Sequence, residues 1–227
     1  MKMLAPRLLT EFVGTFVFLT VIGLSGAAGA LAPLAIGLAL MALVYSGGHV
    51  SGAHYNPAVS FGLVLRRIVG VRTMLAYWAV QVVAGILAFA FARAVSGRTA
   101  DIHAAAAWPA ALAAEVVFTT ALVLVVLNVA ATKETEGNSF YGLAIGMTVA
   151  AGAFVVGPVS GAVFNPAVGI GATMNAAVAG AGSWSSLWLY IVGPAAGAVL
   201  AAAIHYIQAP SRATVPPETS EATRPVT

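Results

Sequence analysis

The sequence has no cysteine in 227 residues, and only 7% of its residues are charged. The first absence excludes a disulfide scaffold and a cysteine metal site, and it predicts indifference to thiol-directed mercurials. The second excludes most soluble proteins. A soluble domain carries about 25% charged residues, and 7% cannot cover a globule of this size. Disorder is excluded for all but the last few residues by a hydrophobic content of 60% and a mean hydropathy of +0.96. No His/Glu spacing marks a metal centre, and no activated nucleophile or acid/base pair is visible. An enzyme is therefore the least favoured class, and no cofactor is expected. The net charge of +3 rests on ten basic residues, which read as topology signals rather than as a nucleic-acid footprint. An integral helical membrane protein, with the lipid bilayer as its main partner, remains.

A helix crossing the hydrocarbon core needs roughly 20 apolar residues. The stretches between charges predict six: about 8–29, 33–50, 73–95, 109–131, 139–159 and 186–207. Two shorter stretches run from Asn56 to about Arg66 and from Asn165 to about Asn175. At ~15 Å each they reach halfway through a core ~30 Å thick. The fold class is thus an all-α membrane protein of six transmembrane helices and two re-entrant half-helices. The first span resembles a signal peptide in its Lys2 and Arg7 and its Ala27-Ala28-Gly29-Ala30. Its length and its Glu11 read instead as a retained helix.

Placing the N-terminus inside leaves Lys2, Arg7, Arg66, Arg67, Arg72, Lys133, Arg212 and Arg224 inside, with only Arg93 and Arg98 outside. That bias predicts cytoplasmic termini, in a cytoplasmic (cell) membrane. Residues 208–227 carry Pro210, Pro216, Pro217 and Pro225 among Ser, Thr and Glu. They read as a disordered cytoplasmic tail after a single domain over 1–207.

That domain is a duplication. Ser51-Gly52-Ala53-His54-Tyr55-Asn56-Pro57-Ala58-Val59 returns as Ser160-Gly161-Ala162-Val163-Phe164-Asn165-Pro166-Ala167-Val168, identical at seven of nine positions and offset by 109 residues. At the same offset Leu34-Ala35-Ile36-Gly37 matches Leu143-Ala144-Ile145-Gly146, and Gly62 matches Gly171. Glu11 and Glu115 occupy similar places in spans one and four. The repeats cover about 5–100 and 108–207. Each holds three spans, an odd number, so the second enters the membrane from the opposite side. The two half-helices then dip in from opposite faces and meet near the midplane. Broken helices at that depth are tolerated only where they are buried in protein or line a water-filled cavity, so the chain encloses a path.

Asparagine is a favoured N-cap and proline suits the first helical position. Asn56-Pro57 and Asn165-Pro166 each start a helix. As caps, their amide oxygens accept backbone N–H bonds, which leaves the amide NH₂ groups free to donate into the path. Both positive helix ends point at the centre. Such a centre suits a neutral, oxygen-bearing solute and repels cations. The approach residues Gly52, Ala53 and His54, and Gly161, Ala162 and Val163, are expected to be extended, with carbonyls forming an acceptor ladder.

The paired Asn-Pro-Ala segments and the six-plus-two layout resemble the aquaporin and aquaglyceroporin (major intrinsic protein) family over about residues 5–207. The resemblance implies a homotetramer with one passive pore per subunit. It implies a pore centre at Asn56, Pro57, Ala58, Asn165, Pro166 and Ala167, and structural support of the half-helix loops by Glu11 and Glu115. It also implies a selectivity constriction at Ile36, Ala153, Ala162 and Val168. Water-selective members carry an aromatic residue, a histidine and an arginine there, and this sequence has none of them. A one-residue shift would replace Ala153 by Gly152 or by Phe154, which would narrow the pore. With Ala153, the ring is wide and apolar, and the arginine's charge and donors are missing. Water, glycerol-like polyols, urea, neutral metalloid hydroxides, ammonia or peroxide are then expected cargo. A water-selective channel is the alternative.

Two other classes remain. A proton-coupled secondary transporter would use Glu11 and Glu115. A closed structural tetramer would pass nothing. His54 and His49 are read as structural placements, with a pH gate as the sharper alternative for His54, and His103 as a solvated loop residue. Trp108, Trp184 and Trp188 suit interfacial belts. The pairs Gly142/Gly146 and Gly193/Gly197 supply faces for close helix packing. Pro158 is expected to end the fifth span.

Overall fold

The computed structural model describes residues 4–100, 102–181 and 184–209. Eight α-helices succeed one another there: α1 Leu4–Leu24, α2 Ala32–Ser51, α3 Pro57–Leu65, α4 Val71–Ser96, α5 Trp108–Ala130, α6 Tyr141–Ser160, α7 Pro166–Val178 and α8 Leu187–Gln208. No strand occurs among the described residues. Six helices have 20 to 26 residues, or ~30 Å and more at 1.5 Å per residue. The other two, α3 with 9 residues and α7 with 13, are too short to cross. The expected tail beyond Ala209 lies outside the described residues.

Several boundaries differ from expectation. The first helix begins at Leu4 and ends at Leu24. Ser25–Leu31 form a 3-10 segment that breaks at Gly29 (φ 54°), so α1 and α2 read as one apolar run, Leu4–Ser51. The two helices are nonetheless antiparallel, because Thr10 near the start of α1 lies against Gly47 near the end of α2. The fifth span does not stop at Pro158. It runs through it to Ser160.

What stops α2 and α6 is glycine. Gly52 (φ 88°) and Gly161 (φ 87°) are left-handed C-caps whose amides return to the carbonyls of Gly48 and Gly157. The two helices also cross on glycine. A methyl on Gly37 would strike the Gly146 carbonyl, and a methyl on Gly146 would strike the Gly37 carbonyl. Gly193 and Gly197 seat α8 on Glu115 and Thr119 of α5 in the same way.

Burial is inverted relative to a soluble protein. Glu11, Thr15, Gln81, Glu115 and Thr119 are fully buried, whereas Val155 and Ile207 are largely exposed. An apolar exterior around a polar interior suits lipid as solvent. The predominant packings are α1 on α4, α5 on α8 and α2 on α6, with α3 and α7 enclosed among them.

Candidate functional site: paired half-helices in a central cavity

Each half-helix is started by its asparagine. Asn56 Oδ1 accepts from the Ala58 amide at 2.8 Å, and Asn165 Oδ1 accepts from the Ala167 amide at 2.9 Å. The amide NH₂ groups are not left free. Asn56 Nδ2 donates to the Phe164 carbonyl and Asn165 Nδ2 donates to the Tyr55 carbonyl, each at 2.9 Å. Each cap thereby grips the loop that leads to the other, and one hydrogen of each NH₂ is left over.

Those loops are not extended. Ala53 and Tyr55 have φ 48°, and Ala162 and Phe164 have φ 50°. Left-handed backbone at a non-glycine residue costs about 1–3 kcal/mol each, so something must over-determine it. Two buried carboxylates do. Glu11 Oε1 accepts from the His54 amide (2.9 Å) and Ser51 Oγ (2.7 Å), and its Oε2 from the Tyr55 amide (2.8 Å) and Gln81 Nε2 (2.8 Å). Glu115 Oε1 accepts from the Val163 amide (2.9 Å) and Ser160 Oγ (2.7 Å), and its Oε2 from the Phe164 amide (2.7 Å). The Ala53 and Ala162 amides are held by Ser51 Oγ and Ser160 Oγ.

In a trans peptide the carbonyl of one residue points opposite to the N–H of the next. No cis bond occurs among the described residues. With the amides of residues 53–55 and 162–164 drawn to the glutamate side, the carbonyls of Gly52, Ala53 and His54 are turned the other way. So are those of Gly161, Ala162 and Val163. These are the six residues expected to form the ladder, reached by alternating rather than extended backbone.

They face a chain of cavities. A central cavity of about 170 Å³ is lined by Asn56 and Asn165 and by Ile36, Ala153, Ala162 and Val168. The structure thus brings all four expected constriction residues onto one cavity with the asparagines. Pro57, Ala58, Pro166 and Ala167 form the first turns of α3 and α7 behind the caps. Of the three neighbours at this point of α6, Ala153 lines the cavity. Gly152 packs toward Phe118 and Phe164, and Phe154 is 49% exposed on the outside of the bundle. A second cavity of about 630 Å³ adjoins on the face where α2 ends and shares Ala53 and Ile145 with the first. A third, of about 560 Å³, lies beside α7 and shares Ile102 with it.

Ile102 was missed by sequence reasoning. It lies in the connection between α4 and α5, which is pinned to the end of α6 by Ala105 and Ala106 amides on the Val159 carbonyl. No motif marks it, and only the pinning brings it to the central cavity. His54 lines the central cavity, and its ring is tied to Ser60 Oγ at 2.8 Å and set edge-on to Tyr77. His49 and His103 are exposed. Among the described residues no cluster fits a metal ion.

The sequence pattern of the family described as "Major intrinsic protein" matches residues 2–205. "Aquaporin NIP1-1" of Oryza sativa subsp. japonica is 38% identical over 171 residues, 73% of this chain and 58% of that protein. The chain therefore spans less than two thirds of that plant relative. "Glycerol uptake facilitator protein-like 6" of Lactiplantibacillus plantarum is 36% identical over 210 residues, covering 86% of this chain and 94% of the relative. "Aquaporin AqpM" of Methanothermobacter thermautotrophicus is 32% identical, covering 89% and 96%. The fold is similar to the X-ray structure of the aquaglyceroporin from Plasmodium falciparum. The TM-score is 0.76 at 20% identity, over 89% of this chain and 95% of that one.

Proposed function

The chain belongs to the major intrinsic protein family, a multi-pass membrane family, and on that premise we propose that it is a passive channel for water and small uncharged solutes. One observation carries this. Two asparagine-capped half-helices meet on a cavity whose neighbours open toward the two opposite ends of the bundle. The asparagines present one donor hydrogen each at the centre, between two positive helix ends that disfavour cations. The carbonyls of Gly52, Ala53, His54, Gly161, Ala162 and Val163 accept from the solute on either side. Selectivity of this kind follows from diameter, lining donors and electrostatic barriers.

The ring of Ile36, Ala153, Ala162 and Val168 has no charge and no side-chain donor. Phe154 faces away from it. We infer a path wide enough for glycerol-like polyols and for urea or neutral metalloid hydroxides of similar size, rather than a water-only one. The name of the glycerol uptake facilitator-like relative is consistent with that reading. Glu11 and Glu115 are engaged by four and three hydrogen bonds, which supports a structural role rather than proton carriage. We further propose a homotetramer in a cytoplasmic membrane. The termini, the end of α3 and the 630 Å³ cavity would lie inside, following the bias of the basic residues.

The test is stopped-flow light scattering on proteoliposomes, with water and glycerol measured in one preparation against empty vesicles. Both permeabilities are expected to rise. A rise in water alone would remove the wide-path reading, and no rise in either would remove the channel.

A further inference from the structure

The 109-residue offset pairs each residue of the outer ring with a residue on the opposite side of the asparagines. Ile36 pairs with Ile145, Ala153 with Val44, Ala162 with Ala53, and Val168 with Val59. Their places in the structure agree with the pairing. α2 and α6 span related residues, as do the starts of α3 and α7. Ala53 and Ile145 are the two residues shared by the central and 630 Å³ cavities, with Val59 on the central side and Val44 on the other. The four therefore straddle the junction between those cavities.

We propose that Val44, Ala53, Val59 and Ile145 form a second specificity ring, tighter than the outer one, and that this inner ring sets the size limit of the path. The proposal rests on the channel reading above. The two rings share an isoleucine, an alanine and a valine at related positions, because Val168 stands opposite Val59. They differ only where Val44 carries two methyl groups more than Ala153. Accessibility follows that difference. Ala53 is 7% and Ile145 5% exposed, whereas their partners Ala162 and Ile36 are only half-buried, as is Ala153. Val44 is 2% exposed. At three of the four pairs the inner side chain is the more closed off, and at the fourth Val59 (4%) and Val168 (2%) are buried alike. An arginine following the second asparagine motif would make the outer ring the narrower. With valine there, the limit passes to the other side of the asparagines.

The test is a graded series at the two related positions in full-length protein, reconstituted at matched amounts. Val44→Ala, wild type and Val44→Ile are compared with Ala153→Val for water, glycerol and erythritol permeability. Val44→Ala should raise glycerol several-fold, raise erythritol more, and change water least. Val44→Ile should lower glycerol, and Ala153→Val should have the smaller effect. A strong loss in Ala153→Val with no response to either Val44 change would overturn the proposal while leaving the channel intact. Absence of any flux from wild type and Val44→Ala alike would overturn both readings.

Discussion

Gln81 of α4 donates Nε2 to Glu11 Oε2 at 2.8 Å, and the related position in α8 is a proline. Tyr77 and Tyr190 fix the correspondence, since each donates its hydroxyl to a related carbonyl, of Ser51 and of Ser160, at 2.8 Å. Four residues beyond them stand Gln81 and Pro194. The first carboxylate thus has a side-chain donor that the second lacks. Gln81→Leu should destabilise the protein by about 1–3 kcal/mol, read as a lower thermal unfolding midpoint in detergent. No change would mean that the backbone amides alone hold Glu11.

The cross-grip of the asparagines can be separated from their capping. Asn56→Ser keeps a capping oxygen but cannot reach the Phe164 carbonyl, and Asn56→Ala loses both. Serine should cost about 0.5–1.5 kcal/mol for the lost bond, and alanine about 1 kcal/mol more for the cap. Equal destabilisation by the two variants would show that the cap contributes nothing.

Val168 is buried on the central cavity. Val168→Arg introduces bulk and a fixed positive charge into the outer ring. Glycerol permeability should fall more than water permeability in the same vesicles. An unchanged ratio would mean that residue 168 does not face the path.

The crossing of α2 and α6 has no room for a methyl. Gly146→Ala would set a Cβ against the Gly37 carbonyl and the Met41 backbone. Overpacking of this kind costs about 1–3 kcal/mol. Because α2 and α6 each contribute to both rings, solute flux should change together with the unfolding midpoint. A shift in stability without a shift in flux would mean that the helices part without moving the rings.

At the end of α3, Arg66 Nε donates to His205 Nδ1 at 2.8 Å, and His205 Nε2 meets Thr132 Oγ1 at 2.9 Å. Thr132 in turn donates to the Leu127 carbonyl. Thr132, Thr135 and Asn138 together cover three successive carbonyls at the end of α5. His205→Phe keeps a planar ring but removes both of its hydrogen bonds. Amide exchange over residues 132–138, which border the 630 Å³ cavity, should accelerate. Unaltered protection would assign the order of that connection to α5 alone.

Periodic and repeated features were legible in the sequence. The six long helices and both asparagine caps follow from apolar run length, capping chemistry and the repeated motif, whereas Ile36, Ala153, Ala162 and Val168 were singled out only by the family resemblance. The left-handed backbone at Ala53, Tyr55, Ala162 and Phe164 was not legible. These residues have no intrinsic preference for it, and it exists because distant carboxylates draw the intervening amides to one side. The grip of Asn56 on Phe164 was hidden for the same reason, since a donor's partner 108 residues away leaves no local trace. Ile102 sits in a connection without periodicity. The choice among Gly152, Ala153 and Phe154 needed the rotation of α6, which a helix apolar on every side does not encode.

The reciprocal bonds between the two caps and the two loops also bear on biogenesis. A ribosome delivers Asn56 and the Tyr55 carbonyl long before Phe164 and Asn165 exist. Until the second half arrives, an amide and a carbonyl of the first are stranded at membrane depth, where an unmet polar group costs several kcal/mol. The first four helices therefore have no complete resting state of their own. They must wait, hydrated or held by the insertion machinery, until α7 arrives, so the centre of the fold cannot form before three quarters of the chain has been delivered.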